Sequence, residues 1–156
     1  MARKRKCRAT HCFHESKEFL PDDEIVEVGA CGYHKDCYQA ISDIREVVDI
    51  FSTQINKNVV FSELRKVINT IVYQRGVDSG RLLFGVKYYL DRRIPLNYPQ
   101  GLYYVVQNKD VQEQYKKMKI EQKVKDYKFE APVDESKPFT YNSSKVKGFS
   151  DVLGGV

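Results

Sequence analysis

The sequence contains no tryptophan, two methionines and four cysteines in 156 residues. No apolar run approaches the roughly 18 residues that a membrane-spanning helix requires, so a span of that kind is excluded. The basic start MARKRK has no apolar segment behind it, and it reads as no secretory signal. An intracellular, cytoplasmic protein is therefore expected. Acidic excess is missing too: 26 Lys and Arg face 21 Asp and Glu, a formal charge of +5. With a mean hydropathy of −0.53, part of the chain is not expected to pack. In a reducing compartment, four clustered cysteines point to metal ligation rather than disulfides.

Their spacing sharpens that reading. RKCRATHCFHES carries Cys7 and Cys12, and YHKDC carries His34 and Cys37. Zinc takes four sulfur or nitrogen donors at tetrahedral corners, and two close pairs joined by a hairpin-sized segment supply them. Between the pairs, Ile25, Val26 and Val28 have strand character and Gly29 suits a turn. His34 and Cys37 fall where a helical pattern begins, and the free amides of a helix start favour thiolate. Cys7, Cys12, His34 and Cys37 are thus the expected zinc ligands. His11, His14 and Cys31 remain alternatives, with Cys31 also readable as a small apolar residue.

Catalytic patterns are lacking. No nucleophilic cysteine can be matched to a base and an oxyanion site. A zinc deaminase needs His-x-Glu and Pro-Cys-x-x-Cys; here Glu15 follows His14 directly and no Pro-Cys occurs. The expectation is no enzyme, with a treble-clef nuclease using His11 or His14 as the rival.

From Tyr38 the apolar period becomes helical. Tyr38, Ile41, Ile44, Val48, Phe51 and Ile55 fall on one stripe, widened by Val47 and Ile50. That stripe reads as core or as a homodimer seam. Ser62 is expected to cap a second helix whose stripe includes Leu64, Val67, Ile68 and Ile71, with Gly76 closing it. Asp78 is expected to cap a third, which ends before Pro95. Asn97 and Gln100 suggest a capping box ahead of Leu102, Val105 and Val106. A last, lysine-rich helix is expected over roughly Lys109 to Tyr127. The fold class is therefore mainly α: a treble-clef zinc module over 1–40, a helical bundle over 41–128 and a flexible tail over 129–156. In that tail Phe149, Val152 and Leu153 have the spacing of an apolar docking anchor.

Basic residues cluster at Arg3, Lys4, Arg5, Lys6 and Arg8, and again at Lys116, Lys117 and Lys119. Such clusters favour nucleic-acid phosphates, or merely solubilise the surface. Two resemblances add to this. YHKDC resembles the second half of the first zinc site of LIM-type fingers, whose first pair is spaced Cys-x2-Cys where this chain has Cys-x4-Cys. Residues 73–108, with GLYYVV, resemble the C-terminal module of DnaD-like primosomal and phage replisome-organiser proteins, although the tryptophan of that family's signature is absent. The chain also looks like small zinc-bearing phage proteins. These resemblances imply a zinc-containing, DNA-associated adaptor in phage DNA replication, working in the host cytoplasm beside a replication protein. The alternative is an interaction module that inhibits or regulates a host nucleic-acid enzyme.

Overall fold

The structure is a computed structural model that describes residues 6–126. The tail over 129–156, with Phe149, Val152 and Leu153, lies outside the described residues, as do Arg3, Lys4 and Arg5.

A two-stranded antiparallel hairpin comes first. β1 (Ile25–Val28) pairs with β2 (Cys31–His34) in the register Ile25 to His34 and Val28 to Cys31. Gly29 sits in the two-residue turn at φ +61°, a conformation that costs other residues steric strain. Upstream, the Cys7 amide donates to the Lys17 carbonyl at 2.6 Å and the Arg8 amide to Gly32 at 3.0 Å. The segment bearing the first ligand pair is thereby laid beside β2. Gly32 leaves room for Phe19: a Cβ there would stand 3.0 Å from the Phe19 ring.

β2 runs directly into α1 (Lys35–Ile50), which continues through a π-helical turn at Phe51–Ile55. α1 crosses the boundary expected at residue 40, so hairpin and bundle share one continuous helix. α2 (Phe61–Asn69) also ends in a π turn, Thr70–Gln74, closed by Gly76 at φ +63°. The Val77 amide reaches back to the Ile71 carbonyl at 3.1 Å, two residues further than the i→i−4 bond of an α-helix. α3 (Ser79–Asp91), α4 (Gly101–Gln107) and α5 (Lys109–Asp126) complete the bundle. Its core centres on Phe51, Leu64, Ile68, Ile71, Leu82 and Leu102, all fully buried.

Polar contacts fix the assembly. Asp78 caps α3 by accepting from the Gly80 amide at 3.0 Å, as expected, and also accepts from the Tyr115 hydroxyl of α5 at 2.5 Å. Burial first, and the hydrogen bond to Asp78 next, raise the Tyr115 pKa. Buried Asp43 of α1 accepts from Ser79 at 2.7 Å and from Gln39 at 2.8 Å, tying α1 to the start of α3.

Three expectations need correction. Ser62 does not cap α2; Val60 holds that position with no side-chain bond, because the Leu64 amide already reaches the Val60 carbonyl at 3.0 Å. Asn97 and Gln100 form no capping box. The backbone amides of Gly101 and Leu102 bond back to the carbonyls of Tyr98 and Pro99, so α4 starts only at Gly101, and the Gln100 side-chain amide donates to the Glu63 carboxylate instead. On α1 the buried face is Ala40, Asp43, Val47 and Ile50, while Ile41, Ile44 and Val48 are only half-buried. The helix carries apolar residues on two adjacent stripes, and packing against α3 selects one of them.

Candidate metal centre

Cys7, Cys12, His34 and Cys37 converge, with one donor atom from each within 4.8 Å of all the others. Cys12 Sγ lies 3.7 Å from Cys37 Sγ and 3.4 Å from His34 Nδ1, and Cys37 Sγ lies 4.0 Å from the same nitrogen. A tetrahedral zinc with Zn–S bonds of about 2.3 Å and Zn–N bonds of about 2.0 Å sets its donors about 3.5–3.8 Å apart. The donor set therefore fits a metal ion on geometry and on chemistry. A disulfide needs sulfurs about 2.0 Å apart, and all four cysteines are free.

Three donors are held by regular local features. The Cys7 amide donates to the Lys17 carbonyl, and His34 ends β2, where it is the residue before α1. Cys37 lies in the first helical turn. Cys7, His34 and Cys37 are 4%, 2% and 1% exposed. Burial, and then the neighbouring Cys12 and Asp36, push the Cys37 thiol up to about 12, against a lowering bond from the Phe13 backbone. Such burial keeps the thiols neutral unless a cation takes the place of their protons.

The His34 ring has a second attachment. With Nδ1 turned toward the sulfurs, the buried Nε2 lies 3.3 Å from Asp23 Oδ2, near enough for charge pairing though not aligned as a hydrogen bond. Asp23 is itself anchored, accepting from the Leu20 amide at 2.6 Å. Phe19 meets the ring edge-on at 4.9 Å, and His14 stacks on it at 3.9 Å while bonding Asp36 at 3.1 Å. Nothing in LPDDEI distinguishes Asp23 from Asp22 by pattern, so sequence reasoning missed it.

Two rival clusters overlap this one: His14 with Asp23 and His34, and His14 with Asp36 and Cys37. Each has three donors and at most one sulfur, a poorer set for a thiophilic ion than three sulfurs and a nitrogen. Among the described residues His11 and Cys31 join no such cluster. His11 is exposed and stacks on Tyr73 at 4.5 Å, and Cys31 is half-buried opposite Val28.

Five of the expected basic residues are among those described. Lys6 and Arg8 are exposed beside the first ligand, Lys6 pairing with Glu18 at 3.5 Å. Lys116, Lys117 and Lys119 are exposed on α5, which packs on α3 and α4. No helix among the described residues is long and apolar enough to cross a membrane. Compared with models of protein families, with curated proteins and with solved structures, the chain matches none.

Proposed function

We propose that the chain is a non-enzymatic, zinc-stapled adaptor that associates with nucleic acid in the reducing cytoplasm. The observation that carries the metal assignment is the convergence of three thiols and one imidazole at tetrahedral spacing. Zinc is favoured because it accepts sulfur and nitrogen donors at four-coordinate sites without a redox change. Four protein donors complete the tetrahedron and leave no position for water, which suits a structural rather than a catalytic ion. The chain's residues would hold that ion by joining the Cys7–Cys12 loop to the root of α1.

Support for nucleic acid comes from charge: exposed Arg8 stands next to a ligand, and three exposed lysines follow one another along α5. Native mass spectrometry before and after chelation tests the metal, with one zinc per chain expected and then lost. Mobility shift over a salt series tests the ligand, with affinity expected to fall steeply as salt rises. A chain purified without stoichiometric zinc would end the first claim, and absence of binding at low salt the second.

A further inference from the structure

Between the metal module and the outer faces of α1 and α2 lies a cleft of about 800 Å³. It is built largely from neighbours of the metal ligands. Arg8 follows Cys7, Tyr33 precedes His34 and Tyr38 follows Cys37, so the residues that turn the donors inward turn these side chains into the cleft. The opposite wall carries Arg45 of α1, Arg65 and Phe61 of α2, and Tyr73 from the π turn after α2.

Three features of this cleft are left unexplained by the fold. Its three cations are all arginines, all exposed, and none forms an ion pair among the described residues, while Asp49 is the single carboxylate facing them. Four aromatic rings line the cleft, with Phe61 half exposed at 50%. The α1 stripe of Ile41, Ile44 and Val48, half-buried rather than core, forms the floor.

We propose that this cleft seats a short single-stranded segment of nucleic acid, its phosphates held by Arg8, Arg45 and Arg65 and its bases stacked against the rings of Tyr33, Tyr38 and Phe61. The inference rests on the nucleic-acid reading above and assigns it a site. Guanidinium groups match phosphate oxygens in pairs, and aromatic faces accept any base. Only unpaired bases offer free faces, which selects single strands over duplex. Hydroxyl and amide groups of Thr10, Ser52 and Asn69 interrupt the apolar lining. They break up the continuous trough that an amphipathic helix needs, but can bond base edges. Ribose and deoxyribose strands share this chemistry.

Fluorescence anisotropy with the zinc-loaded full chain tests the seat, using labelled oligo-dT, oligo-rU and a duplex of the same length, about twelve nucleotides. The single strands should bind more tightly than the duplex, and the dT and rU arms report which sugar is preferred. Arg45→Ala, Arg65→Ala and Tyr38→Ala should each weaken single-strand binding by about tenfold. Each arginine change should also flatten the log-affinity against log-salt slope by about 0.7, a shift that mere loss of folding would not produce. Chelation should weaken binding as well, because it frees Arg8, Tyr33 and Tyr38 from their adjacent ligands.

Single-strand binding that is unchanged in all three variants but lost on changing Lys116, Lys117 and Lys119 together to alanine would overturn the cleft and leave the nucleic-acid reading standing. Duplex bound as tightly as single strand would also overturn it. No binding of any oligonucleotide at low salt would overturn both readings. Binding of an acidic amphipathic peptide through the same arginines, without any oligonucleotide binding, would identify the cleft as a protein seat and refute the proposal.

Discussion

In the hairpin module the buried cluster is Cys7, Ala9 and Cys37, with Cys12, Phe19, Tyr33 and Ile41 packed around it. In the helical body it is a set of fifteen residues reaching from Val47 to Val106. A fully buried leucine or phenylalanine contributes about 1.5–3 kcal/mol, so the second cluster can support a fold. The first cannot, because two of its three members are thiols and the third is an alanine. Two strands alone are marginal in water. On the proposed reading the module gains its order from coordination, while the bundle gains its order from apolar burial. α1 joins the two, its first turn carrying Cys37 and its last turns carrying Val47 and Ile50 into the core.

Removing a ligand should separate the regions most sharply. Cys37→Ser is expected to forfeit most of the roughly 10–16 kcal/mol that a structural zinc supplies to a small module. Its hairpin amide resonances should collapse while those of α3 and α4 keep their dispersion; a heteronuclear spectrum reports both. Next in size, Phe51→Ala removes a fully buried ring from the bundle and should cost about 3–5 kcal/mol of unfolding free energy. Denaturant titration measures it, and zinc stoichiometry should be unchanged. A loss of zinc along with stability would mean that the regions are not distinct.

The comparison is sharpened by Asp23. Asp23→Asn retains an oxygen for the Leu20 amide but loses the charge facing His34 Nε2, so zinc affinity should drop about 10- to 100-fold with the hairpin still formed in excess metal. Competition with a chromophoric chelator reads this directly. An unchanged affinity would make Asp23 a turn residue only.

How much of this was legible in the sequence follows from the same contrast. Metal ligation depends on rare residue types at fixed spacing, so Cys7, Cys12, His34 and Cys37 stood out as candidate donors that the fold brings together, and the strands between them were readable from Gly29, Ile25 and Val28. Asp78 and Gly76 marked their helix ends because capping chemistry is local. Face selection on α1 was not legible, since Val47, Val48, Ile50 and Phe51 make the helix apolar on adjacent stripes and only the docking of α3 chooses between them. Nor do the two π turns follow from a 3.6-residue period. Arg45 and Arg65 lie on separate helices, outside any basic run as long as Lys116, Lys117 and Lys119. Only the fold sets them opposite Arg8.

The most direct test is amide hydrogen exchange on the full chain with and without a strong chelator. If coordination orders the first region and burial the second, chelation should strip protection from Val26 to His34 and from the first turn of α1, while Ile68, Ile71, Val86 and Val105 exchange as slowly as before. Protection retained throughout the hairpin after the metal has been removed would contradict the account.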